Sequence, residues 1–399
     1  MASMGKGEIL TALWDKYVQQ AIHLRRELHK QPELTWQEEA TAARIREELT
    51  ALGIAWEPCA EFGTLGRLAV DKTGPHIALR GDIDALPIDE KSGMPWSSQK
   101  QGCMHACGHD GHTATLMMAA YWLKAHEDQL PGPVTLVFQP AEEGGHGALR
   151  MIEEGALSGV DMIYGWHNWP AIPYGQAVCP EGPVMAGNGT FKLTVTGQGG
   201  HSSQPEVCHD PVLAASAIVV ALQQVVSRRL PPQDSTVLSI TSIDGRSSPT
   251  VIPDQVVIEG GFRIAQPANR QRLGELIEEI AGSTARAYGT QCHVEMFPRY
   301  DATINHAKQA ALYRDALAEE FGDGVISQTT PLPIMASEDF SYYLKEIPGA
   351  FALIGSDDGQ LQHSRPCHNA QYDFNDALIN RVARVYARLV GAPVPEHSS

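Results

Sequence analysis

Apolar residues along this chain recur with two different rhythms. Over residues 8–30, Leu10, Leu13, Tyr17, Ile22 and Leu28 stand among charged positions at helical spacing, which predicts an amphipathic helix. Pro32 interrupts it, and residues 38–52 resume the helical pattern until Gly53. Beyond that point short apolar runs alternate with helical stretches. Strands are expected over 76–79, 134–138, 162–166 and 350–354, with a helix over 113–126. Such alternation predicts an α/β layer around a mostly parallel sheet.

The middle of the chain follows another order. Strands are expected over 191–196, 236–243, 256–264 and 292–297, with helices over 211–228 and 269–288. The succession β-α-β-β-α-β is that of a ferredoxin-like split unit. Residues 1–185 and 298–399 are therefore expected to form one discontinuous domain, interrupted by a compact insertion of residues 186–297. The crossings at 182–189 and 298–303 would serve as its hinge.

Composition narrows the class. The chain is 43% apolar, and 30 basic against 47 acidic residues leave a net charge of −17 with no basic block. Nucleic acid and anionic membranes are not expected partners of such a surface. The 7 cysteines are odd in number and irregularly spaced, which argues against a disulfide scaffold and for a reduced, cytoplasmic setting. Residues 1–6 lack the apolar core of a secretory signal. The most apolar stretch, residues 212–222, is too short to span a bilayer.

Candidate chemistry gathers where ligands of open α/β sheets gather, beyond the carboxyl ends of strands. The first strand delivers Asp82 and Asp84, the second Glu142 and Glu143, and the third His167; a loop after the last leads to His368. Residues 104–112 add Cys107 with His105, His109 and His112, just before the expected 113–126 helix. Each segment alone has an ordinary explanation. Paired Glu is usually solvated, Asp-x-Asp after a strand is often turn or cap chemistry, and a free Cys is usually a small buried hydrophobe. Together they supply a thiolate, imidazoles and carboxylates enough for two divalent ions. Such a pair would acidify a shared water and polarise a carbonyl. One of the adjacent Glu142 and Glu143 could then carry that water's proton to a leaving group. Asp84 is expected to hold an imidazole ligand or its neighbour from behind, tuning its basicity.

Motifs at residues 26–34 (Arg-Glu-Leu-His-Lys-Gln-Pro-Glu-Leu), 80–88, 104–113, 138–144, 199–205 and 337–341 (Ser-Glu-Asp-Phe-Ser) run in order over nearly the whole chain. They resemble the M20 metallopeptidase family, and within it the amidohydrolase branch of aminoacylase-like, hippurate and auxin-conjugate hydrolases. The resemblance implies an aminopeptidase-like catalytic domain, an inserted lid and dimerisation domain, and a homodimer formed through that lid. It implies Cys107, His109, Glu143, His167 and His368 as metal ligands, with Cys107 bridging two ions. Most members use an Asp bridge and a His in the first strand motif; here Asp82 stands in that His position and His109 takes over as ligand. Zn, Mn, Co and Ni all suit the mixed donor set. By the same resemblance His201 would donate to the carbonyl oxygen as it gains charge, acting on the partner subunit's site. Closure of the lid would bring it over the metals. Arg263 would grip a substrate carboxylate, the alternative being an ordinary sheet-edge salt bridge. One departure is Thr250, where the family usually has Asn before Val-Ile-Pro. Cys208 and Cys367 read as structural.

The expected activity is hydrolysis of N-acyl amino acids, such as N-acetyl or N-benzoyl derivatives, to a carboxylic acid and a free amino acid. Two alternatives stay open: a dipeptidase or carboxypeptidase on the same scaffold, and a catalytically silent metal- or ligand-binding homologue. Retention of both Glu142 and Glu143 speaks against the last.

Overall fold

In the computed structural model, which describes residues 6–396, helix Lys6–Lys30 buries a stripe of Trp14, Val18, Ala21, Leu24 and Leu28. Three- and four-residue spacing puts these side chains on one face. That face packs on helix His109–Ala125, with the Trp14 and Trp122 rings edge to face at 4.8 Å and Tyr17 stacked on Tyr121 at 5.5 Å. Residues 1–5, on which the expectation about a secretory signal chiefly rests, lie outside the described residues.

The described residues form two units, the first made of residues 6–184, Ile304–Thr330 and residues 342–396. Its 7-stranded sheet has the order Ala55–Cys59, Gly63–Leu68, Val134–Gln139, Ile77–Asp82, Met162–Pro173, Gly349–Asp357, Ala177–Val178. The central neighbours run parallel, while both flanks are antiparallel. The mostly parallel centre matches the α/β expectation. Strand Val134–Gln139, parallel to Ile77–Asp82 and antiparallel to Gly63–Leu68, is buried at every position, as a strand covered on both faces must be. The hairpin of the first two strands has no counterpart in the sequence reading, because Ala55–Cys59 is exposed at all but its last residue and carries Pro58, so no alternation marks it.

Two boundaries differ from the sequence reading, and both bear on the chemistry. The helix expected from Thr113 begins at His109. Gly108, at φ 91°, turns the backbone into it. His109, Asp110 and His112 thus lie in its first turn, and their complete burial leaves no polar face to mark a helix start. Strand Met162–Pro173 likewise continues past His167, which sits in mid-strand opposite Leu353 rather than beyond a strand end.

The second unit is Met185–Thr303 with Pro331–Ser341. Its 4-stranded antiparallel sheet has the order Thr236–Asp244, Gln255–Ile264, Gly187–Thr196, Gln291–Pro298, the ferredoxin-like arrangement. Helices Pro211–Leu222 and Asn269–Ala287 pack on it around Phe191, Leu193, Ile218, Ile258, Leu276 and Ile277. The helix expected to reach 228 stops at Leu222 and passes into a wider π-type turn, Val225–Arg229. No helix among the described residues is long and apolar enough to cross a membrane.

Behind the first turn of helix His109–Ala125 lies a buried ionic network. His29 Nδ1 is 2.7 Å from Asp110 Oδ2 and its Nε2 is 3.3 Å from Glu90 Oε1. Arg25 reaches Asp373 at 2.8 Å, Asp376 at 2.9 Å and Asp110 at 3.6 Å. Burial and the Arg25 charge oppose a proton on His29, yet Asp110 and Glu90 outweigh them and push the ring up to about 9. A folded value above the unfolded one stabilises fully below about pH 6.5, and that stabilisation is lost as pH rises through 9. Urea unfolding from pH 6 to 10 should therefore show a decline of a few kcal/mol. In His29→Gln that component of the slope should be absent.

Candidate metal centre

Cys107 and His109 flank Gly108, so one leaves the loop while the other opens the helix. This bend puts a thiol and an imidazole two residues apart onto the same point. Cys107, His109 and His167 bring one donor atom each within 4.8 Å of one another. Cys107, Glu143 and His368 do the same, as do His109, Glu142 and Glu143. Cys107 belongs to two of these groups. Cys107 Sγ lies 3.2 Å from His167 Nε2, and Glu143 Oε1 lies 3.2 Å from His368 Nε2.

The surroundings orient these donors. Asp84 Oδ1 is 3.1 Å from His109 Nδ1, which leaves His109 Nε2 buried with no hydrogen-bond partner among the described residues. His167 Nδ1 is 2.6 Å from the Asn168 carbonyl, so its Nε2 is turned toward Cys107. Donation of the far nitrogen to an oxygen is the usual way a protein sets an imidazole for metal. Asp84 Oδ2 accepts the Glu143 N–H at 2.9 Å, tying the two strand-end loops together. His368, at φ 68°, donates its backbone N–H to the Ala106 carbonyl at 2.8 Å, which holds the last loop against the first.

Burial opposes charge on His109, yet Asp82 and Asp84 outweigh it and push the ring up to about 10. The field here favours positive charge. The Cys107 thiol is held well above its ordinary range by a hydrogen bond with Cys367, by burial and by Glu143 and Glu142. A soft sulfur, three imidazoles and two carboxylates around an orphaned buried nitrogen fit divalent metal ions. His105, in the same segment, belongs to none of these groups and is buried with neither ring nitrogen hydrogen-bonded among the described residues.

A side chain at position 108 would disturb all of this. A Cβ there would come 2.4 Å from Asn168 Oδ1 and 2.7 Å from Tyr372 Oη. Gly108→Ala should cost about 1–3 kcal/mol of stability and lower metal content measurably. Thermal unfolding with parallel metal analysis checks both.

A second buried relay joins Asp82 and His112, both visible as candidates in the sequence, to partners that the sequence did not point to. Arg80 donates to Asp82 Oδ2 at 2.6 Å, Asp82 Oδ1 is 2.6 Å from His112 Nδ1, and His112 Nε2 is 2.7 Å from Asn168 Oδ1. Asn168 in turn donates to Tyr372 Oη at 2.7 Å. Asp82 Oδ2 is also 3.6 Å from His109 Nε2, and Asp82, His109 and His112 bring one donor atom each within 4.8 Å of one another.

The candidates His201 and Arg263 lie in the second unit. His201, on strand Gly200–His201, is exposed, and its Nδ1 accepts from the Ser203 N–H at 3.1 Å. Its Nε2 therefore carries the proton. The Ser202 N–H donates to the Thr250 carbonyl at 3.0 Å, so Thr250 supports the pairing of Gly200–His201 with Val251–Ile252 through its backbone. Arg263 is on an inner strand and donates to Ser337 Oγ at 2.7 Å, with no carboxylate partner among the described residues. The sheet-edge salt bridge considered for it does not form. Cys208 and Cys367 are free thiols, and the Cys367 Sγ lies 4.0 Å from the Cys107 carbonyl.

Known proteins resemble this chain over most of its length. An N-acetyl-L-cysteine deacetylase of Bacillus subtilis is 41% identical over 339 residues, 85% of this chain and 80% of the relative. A hippurate hydrolase of Campylobacter jejuni is 34% identical across 92% of this chain and 94% of its own. A solved Bacillus subtilis structure, a dinuclear metal binding peptidase from the M20 family, superposes with a TM-score of 0.82 at 32% identity, covering 94% of this chain and 98% of that one. The sequence profile of peptidase family M20/M25/M40 matches residues 78–392. A profile match of that span, with relatives this similar, settles the family: the chain belongs to peptidase family M20/M25/M40.

Proposed function

We propose that this enzyme hydrolyses the amide bond of N-acyl amino acids with the help of two divalent metal ions. The observation that carries the reading is the convergence of Cys107, His109, Glu142, Glu143, His167 and His368 in overlapping groups of donor atoms that could hold metal ions. The deacetylase and hippurate hydrolase relatives support the substrate class. Cys107, His109, Glu143, His167 and His368 would hold the ions, with Cys107 shared between them. When bound, such ions acidify water and polarise a carbonyl. Zn, Mn, Co and Ni remain the candidates.

The chain's own groups do the rest. Glu142 takes a proton from the attacking water and returns it to the amine nitrogen as the C–N bond breaks. Asp84 keeps the His109 ring in place and pins the Glu143 backbone. His201, through Nε2–H, donates to the carbonyl oxygen as negative charge builds on it. Arg263, lacking a carboxylate of its own, receives the substrate's. The lid helix Pro211–Leu222 leaves Leu213 57% and Val220 74% exposed, which supports a homodimer through that surface. The free cysteines support a cytoplasmic setting.

The test is a panel of N-acetyl, N-benzoyl and indole-acetyl amino acids against the matching dipeptides, with each ion in turn. Turnover of acyl amino acids at least tenfold above the dipeptides is expected. Preference for dipeptides would move the enzyme to the peptidase reading, and failure of the whole panel with two ions bound would leave a silent binding protein.

A further inference from the structure

The loop that carries Glu142 and Glu143 is held from outside its own strand. Residues 33–38, between helices Lys6–Lys30 and Glu39–Ala51, lie against it. Trp36 donates its Nε1–H to the Gly145 carbonyl at 3.0 Å, and Thr35 donates to Asp84 Oδ2 at 2.9 Å. Glu38 Oε1 accepts the N–H of Ala141 at 2.8 Å. Ala141 immediately precedes Glu142 and sits at φ 55°, a conformation that side-chain-bearing residues rarely adopt. Its carbonyl accepts the Gly147 N–H at 3.0 Å. Both polar backbone atoms of Ala141 are therefore gripped, and they set the direction in which Glu142 leaves the chain.

Glu38 is badly placed for anything else. It stands at the N-cap of helix Glu39–Ala51, yet its side chain does not cap the helix. Glu33 does so instead, accepting the Thr41 N–H at 2.7 Å and the Ala40 N–H at 3.2 Å. Glu38 is 0% exposed, and its Oε2 has no hydrogen-bond partner among the described residues. Burying a carboxyl with an unpaired oxygen is unfavourable, and burial together with the Asp84 charge pushes this one up to about 7. Backbone hydrogen bonds from Glu38 itself and from Trp36, within its own segment, offset part of that cost, and the bond that leaves the segment goes to Ala141.

We propose that Glu38 is a positioning residue for the general base: it holds the Ala141 amide in its left-handed conformation and so aims the Glu142 side chain. Glu143 is secured separately, its N–H on Asp84 and Asp84 on Thr35. The proposal rests on the reading of Glu142 as the base. It separates two neighbours on one loop: loss of Glu38 should disturb the proton carrier and spare the metal ligand.

The test compares Glu38→Gln, which keeps an acceptor for the Ala141 N–H, with Glu38→Met, which keeps the volume and removes it. Glu38→Met is expected to lose about 10- to 100-fold in kcat, the size of effect a small misplacement of a catalytic group produces. Its KM and bound metal per folded chain should be unchanged. Glu38→Gln should stay within about threefold of the parent. In the metal-free chain, amide exchange over residues 140–144 should accelerate in Glu38→Met and not in Glu38→Gln. Should Glu38→Met fail to fold, Glu38→Asp replaces it, its shorter side chain falling short of Ala141. Wild-type kcat in the acceptor-less variant, loss of metal alongside activity, or a Gln variant as impaired as Met overturns the proposal. Glu142→Gln in the same series keeps the two readings apart. If it retains turnover, the assignment of the base fails; if it is inactive while Glu38→Met is not impaired, only the role of Glu38 fails.

Discussion

Glu142→Gln is expected to lower kcat on an N-acyl amino acid by about 10³-fold or more, with metal content, KM and unfolding temperature close to the parent's. The amide is nearly isosteric with the carboxylate, so packing in the buried loop survives. What disappears is a carboxylate beside the ligands that can take a proton and give it back. Glu142 offers a donor atom within 4.8 Å of both His109 and Glu143, close enough to serve a water held there. General acid–base groups typically contribute about 10²–10⁴-fold, and in the proposed mechanism one residue would perform both transfers. A variant with wild-type kcat would remove Glu142 from the mechanism.

The second large effect belongs to Cys107. Because it is common to the group with His109 and His167 and to the group with Glu143 and His368, its loss weakens both at once. Cys107→Ala should retain at most one ion per chain after dialysis, with affinity for the first reduced by more than about 100-fold. Residues that merely orient a ligand are already worth about 10–100-fold. Cys107→Asp offers a harder bridging donor and should recover two ions, with relative affinity moved from Zn toward Mn. Two ions retained in Cys107→Ala, measured by plasma emission on the dialysed protein, would show that no sulfur joins them.

Much of this architecture is legible in the amino-acid sequence, for identifiable reasons. A buried strand such as Val134–Gln139 is mostly apolar, and it ends in a short loop whose paired carboxylates stand out from that run. The ferredoxin-like unit is legible because its strands alternate, with buried and half-buried positions taking turns along Phe191–Val195. What escapes has the opposite character. The first turn of helix His109–Ala125 is polar and wholly buried, so neither a hydrophobic stripe nor a solvated face marks it. The relay from Arg80 through Asp82, His112 and Asn168 to Tyr372 joins side chains from distant stretches, and pairing across strands leaves no period in the sequence. Glu38 is hidden in another way. In the run Trp36-Gln37-Glu38-Glu39 it looks like one more solvated carboxylate at a helix entrance, and only the fold turns it inward against Ala141.

The central claim is that side chains from distant stretches gather around a pair of cations that share one sulfur. Anomalous diffraction from crystals of the zinc-loaded protein tests it most directly. Two peaks should flank Cys107 Sγ, one contacted by His109 and His167 or Glu143, the other by His368 with the remaining donors. A single peak, or two that do not both contact Cys107, would contradict the account.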